Sequence, residues 1–210
     1  SFEEIPITME PTQLGSHLLD GCTGITEMII HDRMTRIPDY MFANTGIVHA
    51  EIPMTINDLS GEGVFYNCKN LETVNFVCKQ VAAKVLGTKY FYGCSKIKEL
   101  EIPSGVTSVL NGNEQFAYCT ALEKITIYTK YDIEAYGGSF TGCASLSTID
   151  FQKVEQTITD DDGNVIGYAK TKKVYPAYLY GSLYKGAAVK QAKVGNYDCY
   201  LAEGCLAGSD

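Results

Sequence analysis

Phe91-Tyr-Gly-Cys94-Ser-Lys-Ile97-Lys-Glu-Leu100-Glu-Ile102-Pro103 decides how the chain is read. Alone it is an apolar-spaced segment. Its weight comes from repetition. Phe65-Tyr-Asn-Cys68-Lys-Asn-Leu71-Glu-Thr-Val74-Asn-Phe76 precedes it. Phe116-Ala-Tyr-Cys119-Thr-Ala-Leu122-Glu-Lys-Ile125-Thr-Ile127 and Phe140-Thr-Gly-Cys143-Ala-Ser-Leu146-Ser-Thr-Ile149-Asp-Phe151 follow. The shared pattern is F-x-x-C-x-x-L-x-x-I-x-I. Self-similarity at a fixed period settles the architecture before any single motif is weighed.

The Phe position falls at Leu19, Phe42, Phe65, Phe91, Phe116 and Phe140, in steps of 23, 23, 26, 25 and 24 residues. Periods of about 20–29 residues belong to leucine-rich-repeat solenoids. The stretch ending L-x-x-I-x-I alternates apolar and polar with β-branched residues inside, so each unit holds a short strand. A second apolar pair follows at Met34/Ile37, Ile56/Leu59, Val106/Val109 and Ile133/Tyr136 and predicts a short extended return segment. The F-x-x-C stretch predicts a tight turn or a single helical turn with Phe and Cys pointing inward. Pro53 and Pro103 follow their strands and stop the ladder there. The expected fold is a right-handed solenoid with one short parallel strand per repeat and a convex side of turns, short extended segments and short helical turns. No unit can bury its apolar side alone, so stability must come from stacking.

Residues 1–18 are expected to form a cap or partial first repeat, with Ile5-Pro6-Ile7 as its strand. Residues 19–154 are expected to form the array. After Phe151 the pattern is interrupted. Asp162-Gly163-Asn164 between two alternating stretches signals a hairpin insertion. Residues 155–210 then hold that hairpin, degenerate repeats and a C-terminal cap, continuous with the array. In this part Val174-Tyr-Pro-Ala-Tyr-Leu179 is aligned with Ile37-Pro-Asp-Tyr-Met-Phe42, and Ala202-Glu-Gly-Cys205 falls in register again. The chain begins at Ser1 and stops mid-unit, which is compatible with a mature or trimmed product and with an end either at a cap or at the edge of a larger protein.

A net charge of −8 and a pI near 4.9 argue against a nucleic-acid or anionic-membrane surface, because no basic field faces the phosphates. No apolar run reaches the roughly 18 residues of a membrane span. Eight cysteines raise a disulfide framework. The repeat offers a simpler account, since Cys22, Cys68, Cys94, Cys119, Cys143 and Cys205 share one repeat position and free Cys is a small buried apolar residue. Thr45-Gly46 is small enough for the same slot. A Cys199–Cys205 bridge stays open, because spacing alone does not establish one.

The repeats resemble the BspA-like (Treponema-type) leucine-rich repeats. That family's unit reads approximately I-P-x-x-V-x-x-I-x-x-x-A-F-x-x-C-x-x-L-x-x-I-x-I. Ile102-Pro-Ser-Gly-Val106-Thr-Ser-Val109 followed by Phe116-Ala-Tyr-Cys119 and its strand matches it closely. The resemblance implies a secreted or surface-attached protein, with an adhesion or binding role toward a protein or glycan. It carries over no site residue, because the family pattern marks the core.

The candidate site is the concave strand face. Alternation places Glu27, His49, Thr73, Glu99, Lys124 and Thr148 in one column. The next holds Ile29, Glu51, Asn75, Glu101, Thr126 and Asp150. A third holds His31, Pro53, Val77, Pro103, Tyr128 and Gln152. With rungs about 4.8 Å apart, these read as continuous ladders. Ligand-contacting residues are expected among Glu27, His49, Glu51, Thr73, Asn75, Glu99, Glu101, Lys124, Thr126, Tyr128 and Asp150. The acidic strip fits a basic or polar partner; the alternative is an ordinary solvated β face.

Paired carboxylates at Glu99 with Glu101 or Glu51 do not read as a glycosidase dyad, because an open face keeps them wet. The histidines His17, His31 and His49 lack metal-ligand spacing. Asp160-Asp-Asp162-Gly163-Asn164 lacks the alternation of an EF-hand loop and reads as a turn. The C-terminal tyrosines suit either a binding surface or a cap. Neither a catalytic residue nor a cofactor nor a metal is implied. A binding module leads this reading, and a structural spacer of a larger surface protein is the alternative.

Overall fold

The computed structural model describes residues 14–28, 30, 33–77, 79, 85–106, 113–130, 134–136, 138–174, 178–180 and 200–201. Most of the proposed N-terminal cap and the Cys199–Cys205 pair lie outside them.

The L-x-x-I-x-I segments are strands. β1 (His49–Ile52), β2 (Thr73–Phe76), β3 (Glu99–Ile102), β4 (Lys124–Thr129) and β6 (Thr148–Thr159) occupy successive rungs. β5 (Glu134–Tyr136) is a return segment. Parallel pairing sets His49 beside Thr73, Glu99 beside Lys124, and Lys124 beside Thr148. The expected columns therefore hold within each of two sheets and break between Thr73 and Glu99, where the expectation was of continuous ladders. Ala50, Ile52, Leu100, Ile102, Ile125 and Ile127 alternate inward and are buried, which is what fixes this register.

The turn between rungs carries the inward Phe. Phe42, Phe65, Phe91, Phe116 and Phe140 form one continuous stack. Successive centroids are 5.8, 5.5, 6.0 and 5.3 Å apart and the planes lie within 14° of parallel. No helix occurs among the described residues, which corrects the expected helical turns. The reason is backbone handedness. The residue two before each Phe position has positive φ: His17, Tyr40, Gly63, Lys89, Glu114 and Gly138. So has the residue two after: Gly21, Asn44, Asn67, Gly93, Tyr118 and Gly142. A left-handed residue at each end prevents the turn from winding into a helix.

That alternation divides the amides between two jobs. The N–H groups of Ala43, Tyr66, Tyr92 and Ala117 close the turn onto residues three earlier. Those of Tyr40, Phe42 and Asn44 donate along the axis to Glu62, Val64 and Tyr66 of the next rung, at 2.7, 3.1 and 2.7 Å. Gly63, Phe65 and Asn67 repeat this toward Thr88, Tyr90 and Tyr92. The buried turn thus leaves these backbone donors satisfied.

The cysteines fill the core slot and also donate. Cys68 Sγ lies 2.9 Å from the Phe42 carbonyl, Cys94 Sγ 3.0 Å from Phe65, Cys119 Sγ 3.1 Å from Phe91 and Cys143 Sγ 3.0 Å from Phe116. Each thiol reaches back one rung. Thr45 occupies the equivalent slot and donates to Phe42 O at 2.7 Å. Cys22 departs from the expectation and is exposed. It stands on the first described rung, where no earlier described carbonyl meets it.

Two features correct the idea of an unbroken array. The strand ladder is interrupted: β1–β2 form one sheet and β3–β4–β6–β7 another. The gap coincides with the longest repeat step, from Phe65 to Phe91. The hairpin begins earlier than residue 155, because β6 runs unbroken from a rung strand into the first hairpin strand, and β7 (Val165–Val174) returns antiparallel. Beyond it, β8 (Tyr178–Tyr180) pairs parallel with β5, and β9 (Tyr200–Leu201) pairs with β8. Leu179 thereby stands beside Ala135, five positions before Phe140. The seventh rung runs in a different register from the alignment with Phe42, because the return segment, not the Phe turn, recovers first.

Burial raises the thiols of Cys68, Cys94 and Cys119, and pushes Cys143 up to about 12 from 9.0. The unfolded chain ionises these thiols near 9.0 while the folded chain keeps them protonated. Their stabilisation is complete below about pH 9 and is lost as pH rises toward 12. The urea midpoint is expected to fall through that window, and less steeply for Cys143→Ala. In native protein a thiol reagent mapped by mass spectrometry is expected to label Cys22, and to reach Cys68, Cys94, Cys119 and Cys143 only on unfolding.

Candidate functional site

The strand face places its predicted residues unevenly. Glu27, His49, Glu51, Thr73, Asn75, Glu99 and Glu101 are exposed. A backbone bridge joins Glu27 to His49, and His49 Nδ1 meets Thr73 Oγ1 at 2.7 Å. Glu27, Glu51 and Glu99 have no ion-pair partner among the described residues. Lys124, Tyr128 and Asp150 are half-buried. Thr126 is buried, 6 % exposed, which removes it as a direct contact. It is the short member of the row Glu101–Thr126–Asp150, with longer side chains on both sides. Ile29 and His31 lie outside the described residues.

At its C-terminal end the face is bounded by the hairpin. Three register irregularities between Val154 and Thr159 bend it away from the sheet. The distal half returns along the array to strand exits well before its own. Tyr168 stacks on Tyr128 with centroids 4.3 Å apart. Its hydroxyl accepts the Ser104 N–H at 2.8 Å and donates to the Lys79 carbonyl. The Lys79 N–H donates to Val165 O at 2.9 Å. Lys79 follows β2 and Ser104 follows β3. The Ser104 N–H and hydroxyl also donate directly to the Lys79 carbonyl at 2.9 and 3.2 Å, so Tyr168 reinforces a contact between the exits of the two strands whose ladder is interrupted. Burial pushes the Tyr168 phenol up to about 12.

Acid groups gather beside this contact. Tyr128 O–H points to Glu101 Oε1 at 3.4 Å, and burial, followed by the Glu101 carboxylate, raises its phenol. Asp150 Oδ2 accepts from Gln152 Nε2 at 3.0 Å. Its Oδ1 is enclosed without an aligned hydrogen bond, with Lys173 Nζ 3.4 Å away as an ion pair. The hairpin tip is a turn: Asp160 Oδ1 accepts the N–H groups of Asp162 and Asn164 at 3.1 and 2.8 Å. That spends the carboxylate on its own loop and lowers the Asp160 carboxyl, chiefly through the Asn164 side chain. Among the described residues no three His, Cys, Asp or Glu side chains stand together as metal ligands, and no helix is long and apolar enough to cross a membrane.

One surface column escaped the sequence reading. His17, Tyr40, Tyr66, Tyr92 and Tyr118 form a ring ladder outside the core, with successive centroids 4.7, 5.8, 4.8 and 5.2 Å apart. These residues reach one column from three different repeat positions, so no single position of the repeat is aromatic. The available signal was the aromatic residue between Phe and Cys in Phe65-Tyr-Asn-Cys68, Phe91-Tyr-Gly-Cys94 and Phe116-Ala-Tyr-Cys119.

The family described as BspA type leucine rich repeat region matches residues 1–109 and 77–161, in six copies overall. The chain belongs to this family. A solved leucine-rich repeat protein from Bacteroides ovatus is 27% identical, with a TM-score of 0.46. The match covers 62% of this chain and 38% of that one, so the chain spans well under half of that protein's length. No curated protein matches. The BspA-type repeat is a scaffold of a kind that often binds proteins, and it builds the rungs on which the exposed carboxylates stand.

Replacing Tyr168 by Phe removes the hydroxyl that bridges Lys79 and Ser104, keeps the ring on Tyr128 and leaves the direct Ser104 N–H bond to the Lys79 carbonyl. Hydrogen exchange at the Ser104 amide is expected to quicken modestly, with a global loss of about 1 kcal/mol. Exchange at Phe91 and Phe116 amides, inside the turn ladder, is expected to change only by that global amount.

Proposed function

We propose that this chain is a non-enzymatic binding module of a secreted or cell-surface protein, and that it receives a protein or glycan ligand on the strand face. The observation that carries this reading is the set of aligned carboxylates at Glu27, Glu51, Glu99 and Glu101. All are exposed, and the only polar contact on any of them among the described residues is the Tyr128 hydroxyl on Glu101. Elsewhere on the surface, carboxylates are answered across rungs. Arg36 meets Asp58 at 3.6 Å, Lys96 meets Glu72 at 3.6 Å and Lys89 meets Glu114 at 3.8 Å. On the strand face Asp150 is answered by Lys173, whereas Glu27, Glu51 and Glu99 carry no ion pair among the described residues, and this favours a basic or polar partner.

Backbone pairing holds Glu27 and Glu51 on one side of the interrupted ladder and Glu99 and Glu101 on the other, which limits the reorganisation needed on binding. Asn75, Thr73 and His49 supply hydrogen-bonding groups between the acids, and Tyr128 with the hairpin forms a wall at one end. Family membership supports the surface location, since BspA-type repeats are often found on secreted or surface proteins.

The test is capture of extracellular-matrix proteins and glycans from an array by the purified chain, compared with Glu99→Lys/Glu101→Lys. The double variant is expected to lose capture by at least about tenfold, two lost charge contacts being worth roughly that much, with its thermal midpoint within a few degrees of the parent. Capture that survives the reversal would point instead to a spacer that holds other domains apart.

A further inference from the structure

The hairpin carries a charge arrangement that the solenoid does not require. Lys153 of β6 and Lys172 of β7 face each other directly across the strand pair, and both are exposed. Like charges set opposite each other destabilise a strand pair. Lys170 lies two residues from Lys172 on an unbroken stretch of β7, so the two share a face. All three lysines surround a single carboxylate. Glu155 accepts Lys170 Nζ at 2.6 Å, and Lys172 and Lys153 act on it from further away. Lys173 is occupied separately by Asp150.

β7 is also the terminal strand of its sheet, in the order β3–β4–β6–β7. Among the described residues its outer side meets other backbone only at Val165, through the Lys79 N–H. A sheet edge offers unpaired N–H and C=O groups to an incoming strand. Lysines on such an edge select the partner. A second β7 would set lysine beside lysine, whereas a strand rich in carboxylates relieves the repulsion already present between Lys153 and Lys172.

We propose that the outer edge of β7 docks an acidic, extended peptide segment of a partner protein. The segment adds as a fifth strand to the four-stranded sheet. Alternate carboxylates on it answer Lys172 and Lys170 directly and Lys153 behind them. Backbone hydrogen bonds supply affinity, and the lysines supply the selection for acidic sequence. This surface is distinct from the acidic strand face and does not depend on the function proposed for it.

The probe is a fluorescein-labelled peptide alternating Glu and Thr, as long as the 10 residues of β7, titrated with the full chain by anisotropy. Binding is expected, weakening with added salt. Lys153→Glu/Lys172→Glu is expected to weaken it at least about tenfold, and the neutral Lys153→Gln/Lys172→Gln by less, as charge contacts of this kind do. Glu99→Lys/Glu101→Lys is expected to leave it intact or tighten it. A peptide with the same charges but alternate amides N-methylated is expected to bind at least about tenfold more weakly, because it cannot pair with a strand edge. The proposal is overturned if the acidic peptide does not bind or if the N-methylated peptide binds equally. It is also overturned if a sulfated polysaccharide binds with the same dependence on the lysines and displaces the peptide.

Discussion

Everything in this solenoid depends on amides that point along its axis. At the four turns from Leu19 to Phe91 the N–H groups of the Phe-position residue and of the residues two before and two after it donate to the following rung, and at the next turn those of Phe116 and Tyr118 do. At Tyr40, Phe42 and Asn44 they do so at 2.7 to 3.1 Å. That direction exists only because the flanking residues adopt positive φ. A right-handed helical turn would have sent the same amides back along its own chain. Individually each bond is worth about 0.5–1.5 kcal/mol net. Their number and regularity make the rung-to-rung contact the unit of stability, and they hold the Phe rings in one stack.

The left-handed positions carry a conformational cost. Glycine takes them freely at Gly21, Gly63, Gly93, Gly138 and Gly142, and Asn44 and Asn67 are the next most tolerant. His17, Tyr40, Lys89, Glu114 and Tyr118 are not natural choices there. At His17, Tyr40 and Tyr118 the side chain joins the outer ring ladder, and at Lys89 and Glu114 the two form a cross-rung ion pair. Side-chain contacts between rungs thus offset the backbone strain at the positions where glycine is absent. Gly142 lies directly under the Tyr118 ring, where a Cβ would stand 2.7 Å from Tyr118 Cδ1. The ladder ends there because only a bare backbone fits.

Strand register and core were legible because both follow from alternation and period. Ile125 and Ile127 point inward and Lys124 outward, as period two requires. The family pattern was visible for the same reason. The chemistry of the turn was harder to see. The repeat mark F-x-x-C hides a preference at its second variable position, where Asn44, Asn67, Gly93 and Gly142 recur and Tyr118 departs. Reading Cys as an apolar filler accounted for its burial and missed its S–H bond to the preceding rung. The interruption between β2 and β3 left no sign in the strand sequences themselves, whose patterns match their neighbours. The fold-back of the hairpin follows from irregular pairing between Val154 and Thr159 and from a contact spanning 89 residues between Tyr168 and Lys79. Neither is a local property of the sequence.

The hairpin and the interrupted ladder explain one another. Where β2 and β3 stop pairing, two strand ends lose the bonds that hold them in register. The turn ladder still joins these rungs through Gly63, Phe65 and Asn67, and the Ser104 N–H donates to the Lys79 carbonyl at 2.9 Å. Tyr168 adds to this from outside by binding both exits, and Val165 adds a further bond to Lys79. The insertion therefore reinforces rung coupling where strand pairing is missing. It does so by placing a polar brace at the rim of the acidic face, so that the rim's shape is set by an element outside the repeat. Variation in that hairpin, with the rungs unchanged, would reshape the rim of the strand face without touching the core residues that specify the fold.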